Sequence, residues 1–107
     1  MAIKNPTSIS WTDPTQFEDG SPFGASDFKA YELGVDEGSG PVPLLALPTA
    51  LGVGTSPIPD EARSVKGRDL LIHLRTLDNY GQISEWSNGV TVRFTGRPLA
   101  PASLSGA

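Results

Sequence analysis

The sequence predicts an all-β fold, an antiparallel β-sandwich of about seven short strands in one domain, and three observations carry that prediction. Apolar side chains recur at every second position in several short segments, the period of a half-buried strand. Twelve glycines and ten prolines are scattered along the chain and would interrupt any helix of ordinary length. The total of 107 residues admits one modest core and no second domain.

The first segment, Ser8-Ile9-Ser10-Trp11, places Ile9 and Trp11 on one face and the two serines on the other. Residues 12–27 follow as a long loop with a turn at Glu18-Asp19-Gly20-Ser21-Pro22, and Phe17 and Phe23 are expected to pin it to the body. Residues 30–35 form a second half-buried strand, with Tyr31, Leu33 and Val35 inward. After a polar turn at 36–40, residues 42–47 form a short strand that Pro41, Pro43 and Pro48 confine to an edge. Between 50 and 66, Pro57 and Pro59 allow only an irregular edge strand near 52–58.

The clearest alternation is Leu70 to Thr76, where Leu70, Ile72, Leu74 and Thr76 share one face, so this segment is expected to be a central strand. Asp78-Asn79-Tyr80-Gly81-Gln82 supplies turn chemistry, and residues 90–94 close the sandwich with Val90, Val92 and Phe94 inward. The expected core is therefore Trp11, Tyr31, Leu33, Leu70, Ile72, Leu74, Val90 and Val92. Residues 1–95 make the sandwich. Residues 96–107, interrupted by Pro98 and Pro101, are expected to be a linker or docking arm.

Composition narrows the function. No cysteine is present, so there is no disulfide and no thiolate chemistry. A net charge of −4 argues against a nucleic-acid backbone or an anionic membrane as partner. The charge is uneven: residues 1–61 hold nine acidic and two basic side chains, and residues 62–107 hold three acidic and six basic. No apolar leader and no membrane-length segment occur in the sequence, so the chain as given is expected to be soluble and unexported.

Taken in order, these segments resemble the fibronectin type III domain, an immunoglobulin-like fold. The resemblance rests on Ile9-Ser10-Trp11 before Asp13-Pro14, on Tyr31-Glu32-Leu33, on residues 70–76, and on Ser84-Glu85-Trp86-Ser87-Asn88 before the last strand, covering about residues 7–95. It implies that Trp11 sits between two sheets and that Tyr31 occupies the tyrosine position of the third strand. It also implies a departure, because the family's tyrosine corner falls on Leu70. Ser84-Glu85-Trp86-Ser87 is similar to half of the tryptophan-serine motif of cytokine receptors, which implies a stack of Trp86 on Arg75.

Chemistry-bearing residues are sparse. His73 is the sole histidine, on an outward position of the central strand, without the partners that a metal site or a general base needs. The acidic turns at 18–20 and 36–38 lack the regular spacing of a calcium loop, and no nucleophile elbow occurs. No cofactor is expected. The chain is expected to be a non-enzymatic structural or binding module, and the resemblance implies a bacteriophage virion protein, a capsid decoration or tail accessory subunit binding other virion subunits, with copies of itself as a further expected partner. An adhesion module of a larger secreted or receptor protein is the alternative, and an accessory domain of a carbohydrate-active enzyme a third. Phe17, Phe23, Pro98, Leu99, Pro101 and Leu104 are the expected contacts.

Overall fold

The fold is all-β, as expected, and built as five strands against two. A computed structural model describes residues 2–95, 101–102 and 105–106. The strands are β1 (Ile3–Lys4), β2 (Ser8–Ser10), β3 (Phe28–Asp36), β4 (Pro41–Leu47), β5 (Thr55–Pro57), β6 (Asp69–Asp78) and β7 (Val90–Arg93), with a single helical turn, α1 (Asp60–Arg63), after β5. One sheet has the order β1-β7-β6-β3-β4, and the other is the pair β2-β5.

Parity decides which side chains meet. On β3 the inward positions are Tyr31 and Leu33, and the register Tyr31↔Thr76, Leu33↔Leu74, Val35↔Ile72 continues that face across β6. Leu70 pairs with Val92, so the same face extends onto β7. The small β2-β5 layer and α1 close over it with Ile9, Trp11, Ile58 and Ala62. Tyr31, Phe94, Leu33, Leu70 and Val92 are the largest fully buried side chains. Each aliphatic or phenyl member contributes about 1.5–3 kcal/mol by leaving water.

Several expectations need correction. Val90 belongs to the inward parity, opposite Ile72, yet it is 38% exposed. The two-stranded layer is too narrow to reach it, and Val90 instead lines a hollow of about 310 Å³ with Ile9, Trp11, Leu33, Ile72 and Leu74. Trp11 and Leu74 are partly buried for the same reason, packed against the core without being enclosed by it. The sandwich is not wholly antiparallel, because β1 pairs with β7 in parallel. That strand is held by Asn5, whose backbone turns left-handed (φ 48°) and whose side chain bonds Thr95 twice, through Nδ2 to Oγ1 (3.1 Å) and from the Thr95 amide to Oδ1 (3.0 Å).

The prolines act as anticipated on β4, which is an edge strand carrying Pro41 and Pro43. Proline has no amide hydrogen, so it leaves gaps in the row of donors that an added strand would need. The irregular 50–66 segment resolves into β5, paired antiparallel with β2, and the α1 turn. Among the expected tail contacts, Pro101 is exposed, and Pro98, Leu99 and Leu104 lie outside the described residues.

Candidate binding surface

The end of the sandwich at which β3 begins and β6 finishes gathers the loop 12–27, the turn after β4 and the turn after β6. Asp13 organises its inner part. One carboxylate oxygen accepts from the Trp11 indole N–H (2.9 Å) and from the Tyr31 hydroxyl, and the other accepts from the Gly52 amide (2.8 Å). Trp11 and Tyr31 meet edge to face at 5.0 Å. Partial burial pushes the Asp13 carboxyl up, but the three hydrogen bonds, from Tyr31, Trp11 and Gly52, outweigh it and hold the group below the usual carboxylate value. Burial, and then the bond to Asp13, push the Tyr31 phenol well above its ordinary value.

Asp78 does the same for the turn after β6. Its side chain accepts from the Tyr80 amide (2.9 Å), the Gln82 amide (2.8 Å) and the Gln82 side chain (2.8 Å). Burial raises this carboxyl, and the bonds from Gln82 and Tyr80 lower it by more. Asp27 links the two loops, accepting from the Tyr80 hydroxyl (2.7 Å) and the Gly24 amide (3.0 Å). Those two bonds, the Tyr80 hydroxyl first, lower Asp27, and the same carboxylate raises the Tyr80 phenol.

Between these loops lies a hollow of about 550 Å³. Phe17 and Phe23 form part of its wall, packed edge to face at 5.0 Å, and the hairpin that carries them is closed by the Phe17 amide bonded to Ser21 O (2.8 Å). Tyr80 (63% exposed) and Ile83 (57%) stand at its rim. Glu18 and Asp19 also line it, and among the described residues the lining contains no cation.

The outer face of the large sheet carries a second constellation. Segment 83–87 runs beside β6 beyond the reach of β7 and is bonded to it partly by side chains. The Ser84 hydroxyl accepts from the Thr76 amide (2.8 Å) and the Ser87 hydroxyl from the Leu74 amide (3.0 Å). The backbone completes the pairing, from Ser84 N to Thr76 O (2.9 Å) and from Ser87 N to Leu74 O (2.7 Å). This brings Trp86 over the sheet, with the Arg75 guanidinium 4.1 Å from its ring centre. Arg75 also pairs with Glu32 (Nε to Oε1, 2.6 Å), and both side chains are about four-fifths buried. Gly34 lies beneath the indole, so close that a Cβ there would meet Trp86 Cη2 at 2.6 Å.

His73 sits at the side of this stack, with its ring centre 6.5 Å from that of Trp86. Its Nδ1 lies 2.8 Å from Ser87 O, which makes Nδ1 the protonated nitrogen, and Nε2 is shielded from solvent without a partner. No carboxylate among the described residues orients the ring. Among the described residues, no three His, Cys, Asp or Glu side chains converge as metal ligands would. Asp13, Asp27 and Asp78 each accept two or three hydrogen bonds and are held below the usual carboxylate value, which makes them poor proton acceptors and effective loop clamps.

Of the residues singled out from sequence, the structure brings Trp86 and Arg75 together and brings Phe17 to Phe23. The organising roles of Asp13, Asp78, Ser84 and Ser87 were not foreseen. Asp-Pro after a strand and Asp-Asn-Tyr-Gly read as turn chemistry, but their long-range acceptors are set by the tertiary fold. Comparison with protein-family models, curated proteins and solved structures found no match.

Proposed function

We propose that the chain is a non-enzymatic structural module with a fibronectin type III-like, immunoglobulin-like arrangement, and that it serves in a bacteriophage particle by binding neighbouring protein subunits. The observation that carries the binding part is the loop end, where an aromatic-walled hollow and the exposed Tyr80 and Ile83 stand on loops clamped by Asp13, Asp27 and Asp78. Rigid loops lose little conformational freedom on binding, and exposed apolar groups on such loops suit recognition of another surface.

The sandwich arrangement is supported by Trp11 against Tyr31 between the layers and by the β7-β6-β3-β4 order of the larger sheet. The virion assignment rests on the sequence resemblance. Purified phage particles analysed by quantitative mass spectrometry should contain the chain in a fixed ratio to a capsid or tail subunit. A chain found in the producing cells but missing from particles would remove the assignment.

A further inference from the structure

The charge of the molecule belongs to one of its ends. Residues 12–29 and 77–85, which form the loop end, hold Asp13, Glu18, Asp19, Asp27, Asp78 and Glu85 against the single cation Lys29, more than enough to account for the whole-chain charge of −4. At the opposite end Arg68 pairs with Glu37 and Arg93 with Asp69. Arg75 is matched by Glu32 between the two. The imbalance therefore coincides with the hollow walled by Phe17 and Phe23.

The two carboxylates at the mouth of the hollow differ from those that clamp the loops. Glu18 and Asp19 are exposed. Asp19 uses one oxygen to accept from the Ser21 amide (2.9 Å) and hydroxyl (2.5 Å), and among the described residues Glu18 has no hydrogen-bond or ion-pair partner. Their negative potential falls on an opening whose rim is Tyr80 and Ile83. A partner with negative charge is repelled there, and a neutral apolar one leaves the potential unused.

We infer that this hollow receives a cationic segment of a partner protein, an apolar side chain entering between Phe23, Tyr80 and Ile83 while a flanking lysine or arginine faces Glu18 and Asp19. The inference rests on the reading of the domain as a protein-binding module and names the chemistry of what it binds.

Three blocked heptapeptides test this against the full chain, followed by amide shifts in nuclear magnetic resonance spectra: a central leucine flanked by lysines, the same leucine flanked by glutamates, and a central glycine flanked by lysines. Only the first should shift Phe17, Tyr80 and Ile83. Its binding should weaken as salt rises from 0.1 M to 1 M, where the screening length falls from about 10 Å to about 3 Å. The double variant Glu18→Lys, Asp19→Lys should weaken it about two- to thirty-fold, the range for two exposed ion pairs.

Equal binding by the glutamate or glycine peptide, shifts on another face, or no shift at millimolar peptide would overturn the inference. Particle incorporation of the double variant separates this inference from the reading beneath it. Undiminished incorporation overturns the docking surface and leaves the virion reading standing. Peptide binding at the loop end by a chain missing from particles upholds the surface and removes the virion reading.

Discussion

Gly34 offers a sharp test of the outer-face stack, because one methyl group there has a calculable consequence. An alanine Cβ would lie 2.6 Å from Trp86 Cη2, 2.7 Å from Cζ3 and 3.2 Å from Cζ2, closer than carbon atoms approach without displacement. The indole has to lift, and the Arg75 guanidinium 4.1 Å from its ring centre then loses its partner. Overpacking of this kind costs about 1–3 kcal/mol. Loss of the stack costs about 0.5–2 kcal/mol. Against these, replacing glycine at a position without positive φ returns about 0.4–1 kcal/mol through the unfolded chain.

The expected net effect of Gly34→Ala is a destabilisation of about 0.5–4.5 kcal/mol. Urea unfolding followed by near-ultraviolet circular dichroism measures it, in a double-mutant cycle with Trp86→Ala. Without the indole, Gly34→Ala should be neutral or stabilising. An equal cost in both backgrounds, or no cost in the parent, would refute the reasoning.

Other consequences are equally open to measurement. Asp13→Ala strands the Tyr31 hydroxyl, the Trp11 indole N–H and the Gly52 amide, and should cost about 2–4 kcal/mol, with Tyr31→Phe recovering part of it; a loss unaffected by that second change would contradict the hub. The carboxyls of Asp13, Asp19, Asp27 and Asp78 are all held below their ordinary value in the folded chain. The stability they contribute is complete above the unfolded-state pKa of about 4 and is lost as pH falls through their folded values, so the urea midpoint should hold steady from pH 8 to 5 and decline below pH 4. A midpoint unchanged down to pH 2.5 would count against it. Pro43→Val restores an amide donor on the edge strand β4 beside the exposed Val42 and Leu44, and should raise self-association in sedimentation velocity; an unchanged monomer would argue that the prolines do not guard this edge.

Much of the fold was legible in the sequence because strand parity is a local property. Tyr31 and Leu33 on β3, and Leu70 and Ile72 on β6, are buried where two-residue alternation puts them. Parity does not reveal how far the opposing layer extends, which is why Val90 has the inward orientation and remains exposed. β1 is two residues long and is held by Asn5 and Thr95, ninety positions apart, a pairing that no local pattern announces. The Trp86–Arg75 contact was legible in the similarity of Ser84-Glu85-Trp86-Ser87 to half of a tryptophan-serine motif. The bonds of Ser84 and Ser87 to β6 depend on β7 ending its pairing at Ile72, which only the sheet register shows.

The same division holds for the surface. Phe17 and Phe23 stood out as apolar residues in a polar loop, whereas the hydrogen bonds that clamp the loops onto Asp13, Asp27 and Asp78 and the pairing of Arg68 and Arg93 at the far end are tertiary facts. They turn a charge imbalance spread along the sequence into one concentrated at a single end.

Carbene footprinting of the chain, free and within purified particles, tests the central claim of a loop-end binding surface most directly. The account predicts that Phe17, Tyr80 and Ile83 lose labelling in the particle while Val42 and Leu44 on the far edge keep theirs. Protection of Val42 and Leu44 with Tyr80 and Ile83 still labelled would contradict it.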